Sequence, residues 1–502
     1  MKTQLLSIFA RNRDKPFLVD AIGGGTLSFA DVVGRAVTLA SKFESVGICR
    51  GDRVGAVIPS GLDYVVFYLA CLVGGLTAVP VNSSLSPRDR AFILSRARLA
   101  AVIASNASQD ITAGPFKILD RNFLNVDADV TQPDIERRLA SIVDDELLSI
   151  HFTSGTTNLP KGVAHRVGTL LGNASVFNET FGLGCERRFV HVMPMDYMAG
   201  FLNTLLCALM AEATLIIAPQ FSAASVLRFW EPIVTHAGDM IWMSPTMIAT
   251  LTKIDRDTVG RDYCGGCDVK IFSATAPLPL KLRREFHSKY GVDLIESYGL
   301  SELLLVAANY GPSGIKDGAV GCAIPDVWVE IRDLNGRPSL RNVDGSIFVT
   351  TPYVMVGYLD LNSGQPIPPS SQWFDTGDLG YLDDDGYLFV SGRHKDLIIR
   401  GGFNVSPRLI EETLLRHPQV ENVAVVGVPH EYYGEEIVAA VIPKANAQLA
   451  SFEGDLRALC RDELSSGAAP DRYISFIDFP VTQVGKVQKN KIREFLVQRV
   501  DV

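Results

Sequence analysis

The sequence predicts an α/β protein of two domains. The first is large, with parallel-rich sheets, helices and a small β-barrel-like subdomain, and the second is a small α+β unit. Three observations predict this. A chain of 502 residues is too long for one compact core. Through about the first 390 residues, short β-rich runs alternate with amphipathic stretches, the pattern of parallel strands joined by helices. After the polar segment Gly392-Arg393-His394-Lys395-Asp396, a separate helix and strand pattern begins.

In chain order, runs 54–59, 101–104, 147–152, 188–193, 214–218 and 269–273 read as buried strands, and 29–46 and 223–236 as amphipathic helices. The longest apolar run, 64–81, is interrupted by Gly74, Gly75 and Pro80. It therefore reads as a buried helix passing into a strand at 76–81 rather than as a membrane span. Residues 327–358 hold short strands separated by Asn-Gly and Asp-Gly turns. Asp383-Asp384-Asp385-Gly386 makes a tight turn between strands 379–382 and 387–390. The boundary divides the chain into 1–394 and 396–502, and the second part carries a helix at 407–417 and strands at 424–428 and 437–442.

Composition narrows the function classes. Hydrophobic residues at 47% and charged residues at 21% are ordinary for a globular enzyme. A net charge of −9 supplies no general basic surface for nucleic acid, although a local cationic patch for a phosphorylated small molecule is compatible with it. The apolar residues after Met1 reach Arg11 too soon for a secretory leader. Eight scattered cysteines read as reduced, cytoplasmic thiols. Cys264-Gly-Gly-Cys267 lacks the second ligand pair that a structural zinc site needs.

The segment Thr153-Ser154-Gly155-Thr156-Thr157-Asn158-Leu159-Pro160-Lys161-Gly162 follows the strand at 147–152. Hydroxyl and backbone N–H donors there can converge on phosphate oxygens, and Lys161 adds a cation. It is not a Walker A loop, because no Gly-Lys-Ser/Thr follows at the required spacing. Alone, such a loop is more often a solvated turn.

Further motifs follow in order: Ser273-Ala274-Thr275-Ala276-Pro277-Leu278, Glu296-Ser297-Tyr298-Gly299-Leu300-Ser301-Glu302, Trp373-Phe374-Asp375-Thr376-Gly377-Asp378, Gly392–Asp396, and Pro480-Val481-Thr482-Gln483-Val484-Gly485-Lys486. This ordered set resembles the acyl-adenylate-forming (AMP-binding) superfamily over nearly the whole chain, most of all the acyl-CoA synthetases and carboxylate–CoA ligases. The resemblance implies an ATP- and Mg²⁺-dependent acid–thiol ligase. Such an enzyme makes an acyl-AMP from a carboxylic acid and passes the acyl group to coenzyme A, or to the phosphopantetheine of a separate acyl carrier protein.

The resemblance also implies roles. Glu302 would be the metal-side carboxylate, suited to Mg²⁺ that keeps phosphate and water ligands. Ser301 retains the hydroxyl of the family's threonine. Ala274, Thr275, Ala276, Glu296, Ser297, Tyr298 and Gly299 would lie on the adenine side, although close packing equally explains the small residues. Asp378 would accept bonds from the ribose hydroxyls, with Arg393 beside it. Lys486 would bridge the substrate carboxylate and α-phosphate, and Lys395 would be the hinge that later withdraws it. The small domain is thus expected to be mobile. Gly401 and Gly402 would let a pantetheine arm pass close to backbone, or else form an ordinary turn.

Asp196, Tyr197, Gly200 and Trp242 are candidates for the acyl pocket, with the stretches 242–247 and 296–299 around it. Tyr197 stands where the family has histidine. Asp196 is either a turn residue or a partner for a cationic group, and Trp242 is equally a core residue. Asn158 replaces the family's glycine. An alternative of a different class is a nucleotide-binding homologue without catalysis, which the retention of Lys161, Glu302, Asp378, Arg393 and Lys486 argues against. Neither the acid nor the oligomeric state is readable.

Overall fold

The computed structural model describes residues 1–105, 111, 114–153, 160–360, 362–401, 403–464, 467–482 and 485–498. Two large sheets dominate the N-terminal part. In the first, the strands Pro16–Asp20, Thr214–Ile217, Arg188–His191, Met240–Met243, Lys270–Ser273 and Leu294–Leu300 pair in that order, all parallel. In the second, Lys161–Arg166 joins Leu147–Thr153 antiparallel, and Thr77–Pro80, Arg53–Val57 and Ala101–Ala104 continue in parallel. Helices cover these sheets, so their strands are apolar on both faces.

Local chemistry sets the helix ends. Ser28 caps Phe29–Ser45 and exchanges bonds with Asp31, a full capping box. The suspicious apolar run becomes the helix Leu62–Gly74, buried from Tyr64 onward, and Gly75 ends it at φ 64 before the strand Thr77–Pro80. Among the described residues no helix is long and apolar enough to cross a membrane. The expected helix 223–236 instead divides into a 3₁₀ turn, Val226–Arg228, and the helix Trp230–Thr235. Pro232 explains the break, because it lacks an N–H and is tolerated only in a helix's first turn.

The β-rich stretch becomes a four-stranded antiparallel sheet, ordered Trp328–Arg332, Gly345–Thr350, Phe374–Leu382 and Leu388–Arg393. Beyond it lies a separate sheet built on Val420–His430 and Gly434–Pro443, both longer than the sequence predicts. Val423, Val425, Ile437 and Ala439 pack with Ile410 and Phe452 on one face. Ala424, Val426, Val438 and Ala440 pack with Phe479 and Ile492 on the other. The period of two therefore buries both faces with no help from the first domain.

Polar contacts join the two parts. Lys281 donates to the carbonyls of Leu415 and Val420 at 3.1 and 3.3 Å, and Lys253 pairs with Glu421 at 2.5 Å. Ser406 donates to the Ser391 carbonyl at 2.8 Å. Such hydrophilic seams suit two bodies that move relative to one another.

Candidate active site

Asp378 and Arg393 are direct cross-strand partners on Phe374–Leu382 and Leu388–Arg393. Their side chains meet at 2.6 Å, Arg393 Nε to Asp378 Oδ1, with Asp378 only 2% exposed. The other carboxylate oxygen accepts from the Tyr298 hydroxyl at 2.6 Å. Burial and the Asp378 charge push the Tyr298 phenol well up, so it stays protonated and donates.

Two backbone irregularities flank this group. The register shifts between Tyr298 and Gly299, where an added Cβ would lie 2.2 Å from the Leu304 carbonyl oxygen, so only glycine fits. Thr275 sits at φ 78, an outlying conformation for a β-branched residue, and its buried hydroxyl has no partner among the described residues. Its neighbour Ala274 is buried and Ala276 half-buried.

Thr153 and Lys161 are cross-strand partners and hold the two ends of the hydroxyl-rich loop together. The loop residues Ser154, Gly155, Thr156, Thr157 and Asn158 lie outside the described residues, as does Gly402. The Lys161 ammonium lies 5.0 Å from the centre of the Tyr358 ring, and the Tyr358 hydroxyl donates to Glu302 Oε1 at 2.7 Å. The adjoining Ser301 carbonyl meets His165 Nε2 at 2.6 Å. His165 is fully buried and its imidazole is lowered to about 4, chiefly by desolvation, so it is neutral and Nε2 carries the proton it donates.

Lys486 comes from the second domain, on a tight turn closed by Gly485 N–H to Thr482 O and Thr482 N–H to Lys486 O, both 2.8 Å. The turn docks on the first domain through the Thr246 hydroxyl, which donates to the Gly485 carbonyl at 2.5 Å. Lys486 is exposed to solvent, with protein groups packed around its ammonium. That enclosure, with the cations of Arg393 and Lys395, lowers its ammonium to about 8. The side chain therefore lies within electrostatic reach of the Asp378–Arg393 pair.

The pocket candidates divide. Tyr197 is in electrostatic reach of both Arg393 and Glu302, and burial raises its phenol. Asp196 beside it has one buried carboxylate oxygen without a partner among the described residues, and desolvation raises the acid to about 6. Gly200 opens a π-helical segment, Gly200–Leu206, where an added Cβ would strike the Pro194 carbonyl at 2.0 Å. Trp242, by contrast, is fully buried with its ring stacked on Phe272 at 4.5 Å, the core role the sequence left open for it.

Glu296 is buried with its carboxylate 3.6 Å from Arg283 and raised by desolvation to about 7, while the Ser297 hydroxyl donates to the Ser273 carbonyl at 3.4 Å. Both residues lie on Leu294–Leu300, the strand that carries Tyr298, and Glu296 Oε1 has no hydrogen-bond partner among the described residues. Lys395 is exposed in the 3₁₀ turn His394–Asp396, and Gly401 is exposed at φ 57.

The family model described as AMP-binding enzyme matches residues 7–359, and that described as AMP-binding enzyme C-terminal domain matches 409–486. The chain belongs to the AMP-binding enzyme family. It is 30% identical over 494 residues to the sulfoacetate–CoA ligase of Cupriavidus necator, covering 95% of this chain and 94% of that one. It is equally 30% identical to the oxalate–CoA ligase of Arabidopsis thaliana, covering 93% of each. Among solved structures, ATP-bound MatB from Rhodopseudomonas palustris superposes with a TM-score of 0.85 at 26% identity, covering 99% of both chains.

The same MatB without nucleotide gives 0.75 over the same coverage. Since the chain and coverage are shared, the difference lies in arrangement, and this AMP-binding enzyme is arranged more like the ATP-bound form. Its second domain, whose family match ends at Lys486, delivers that lysine to the cleft. Sequence reasoning missed Tyr358, His165 and Thr246. A Tyr after glycine in a short strand, a buried His and a helix-start Thr carry no signal until the fold sets them against Glu302, Ser301 and Gly485.

Proposed function

We propose that this AMP-binding enzyme activates a small carboxylic acid with ATP as an acyl-adenylate and then transfers the acyl group to coenzyme A. The observation that carries this reading is the convergence of Lys486, from one domain, on the Asp378–Arg393 pair of the other. In the first step a carboxylate oxygen attacks the α-phosphorus while its bond to pyrophosphate breaks. Two anions meet there, so a cation that bridges them stabilises the developing charge most, and Lys486 supplies it. Lys161 and the loop from Thr153 neutralise the departing phosphates.

Asp378 and Arg393 take the ribose, and Tyr298, Ala274 and Ala276 border the base. The unpartnered Thr275 hydroxyl supports a polar ligand at that turn. Glu302 suits Mg²⁺ arriving on ATP: Tyr358 occupies Oε1, and among the described residues no donor meets Oε2. The cation would supply charge neutralisation on the phosphates.

In the second step the thiolate attacks the acyl carbon, a C–S bond forms and AMP leaves. Rotation at Lys395 would withdraw Lys486 and bring Gly401 and Gly402 forward, and the hydrophilic domain seam supports such movement. Coenzyme A is favoured over a carrier protein because the end-to-end relatives named above are CoA ligases. Their substrates, sulfoacetate and oxalate, support a small acid, and the eight free cysteines fit a reduced, cytoplasmic setting. Pyrophosphate exchange into ATP across a panel of acids, followed by CoA or holo-carrier as acceptor, tests the whole. Exchange with at least one acid and thioester formation on CoA are expected. ATP binding without exchange for any acid would overturn it.

A further inference from the structure

We propose that Tyr358 is a positioning residue that aims the Glu302 carboxylate and ties it to Lys161. Four contacts carry this. The Tyr358 hydroxyl donates to Glu302 Oε1 at 2.7 Å. The Lys161 ammonium stands over the same ring, 5.0 Å from its centre. The Met355 N–H holds the Glu302 carbonyl at 2.8 Å, and the Val356 N–H holds the Ala164 carbonyl at 2.8 Å.

The geometry follows from pairing. Gly357–Leu359 lies antiparallel to Lys161–Arg166, with Tyr358 opposite Val163, two residues beyond Lys161 and so on a neighbouring cross-strand site. Gly357 lets the strand approach: its φ is 157, and an added Cβ would lie 2.1 Å from the Ile367 carbonyl. One aromatic side chain thereby spans two groups that come from distant parts of the sequence. In this contact the phenol O–H donates and the carboxylate oxygen accepts. With one oxygen engaged, the carboxylate cannot turn freely, and its second oxygen is left with no donor among the described residues.

This inference rests on the metal-side role proposed for Glu302. The deciding experiment measures ATP affinity by titration calorimetry, with and without Mg²⁺, for the wild type, Tyr358→Phe and Tyr358→Leu, alongside unfolding midpoints. In the wild type Mg²⁺ should tighten ATP. In Tyr358→Phe that tightening should shrink by about tenfold, the scale of a charged hydrogen bond, while metal-free affinity stays as in the wild type because the ring remains beneath Lys161. Tyr358→Leu should lower affinity under both conditions. Equal Mg²⁺ tightening in the wild type and Tyr358→Phe overturns the proposal, whether or not the unfolding midpoint falls. No tightening in the wild type itself removes the Glu302 role, and the positioning role with it.

Discussion

Asp378 and Arg393 face each other directly across two antiparallel strands, and the carboxylate is the buried member of the pair, 3% exposed against 35% for the guanidinium. The asymmetry matters. Removing the arginine leaves a desolvated charge behind, whereas removing the aspartate leaves a cation that reaches water.

Arg393→Ala should therefore cost stability, by about 1–2 kcal/mol once partial exposure is allowed for, and also weaken ATP. Adding Asp378→Asn should restore the stability, because the amide needs no counter-charge, yet weaken ATP further through loss of the ribose acceptor. Thermal unfolding and ATP titration of the single and double variants separate the two effects. A double variant no more stable than Arg393→Ala would refute the buried-charge account.

The Lys486 ammonium, lowered to about 8 by enclosure and by neighbouring cations, should titrate in an accessible range. The proton is needed for the bridge, so kcat/KM for adenylation should fall as pH rises through about 8. Lys486→Arg should flatten that alkaline limb even if slower, since guanidinium keeps its charge. Lys486→Ala should abolish adenylation yet still convert supplied acyl-adenylate to thioester, the two steps using opposite faces of the small domain. Equal loss of both half-reactions would argue against rotation at Lys395.

The turn that presents Lys486 gives a separate handle. Gly485 lies at φ +78, and an added Cβ would sit 2.4 Å from the Thr246 Cβ. Gly485→Ala must push the turn off its dock, so adenylation should drop by at least about tenfold, as small misplacements of a catalytic group do. Thioester formation from supplied acyl-adenylate should hold. Unimpaired pyrophosphate exchange in Gly485→Ala would show that the Thr246 contact does not place Lys486.

What was legible in the sequence had local causes. Gly-rich and hydroxyl-rich turns, a Tyr-Gly bulge and an Asp-then-Arg spacing on one hairpin are short-range patterns, and Lys486 stood out by its ordered place after them. The Asp378–Arg393 partnership is such a case, because one hairpin register produces it. Tyr358 was illegible because its meaning depends on strands more than a hundred residues apart in the chain pairing in one register. Trp242 shows a different limit: sequence position leaves pocket lining and core equally open, and the structure adds its full burial against Phe272. The division of 223–236 follows from Pro232, a local feature that amphipathic spacing does not register.

Three histidines set an acid limit on the fold. His151, His165 and His191 are buried, and desolvation lowers them to about 3, 4 and 4. In the unfolded chain each takes a proton near pH 6.5, while in the fold each resists it. Their contribution is fully present above pH 6.5 and is lost as pH falls below it, by about 1.4 kcal/mol per unit and site until the folded groups also protonate. His151 offers the clean test, since neither ring nitrogen has a partner among the described residues and the ring stacks with Tyr68 and Phe201 at 6.4 and 5.4 Å. Phenylalanine keeps that stack without the basic nitrogens. In urea unfolding at pH 7 and pH 5, His151→Phe should match or exceed the wild type at pH 7 and lose about 2 kcal/mol less on acidification. Carboxylates titrate alike in both proteins, so their share cancels. Identical losses would mean that His151 is protonated in the fold, with the polar partner that such a charge requires.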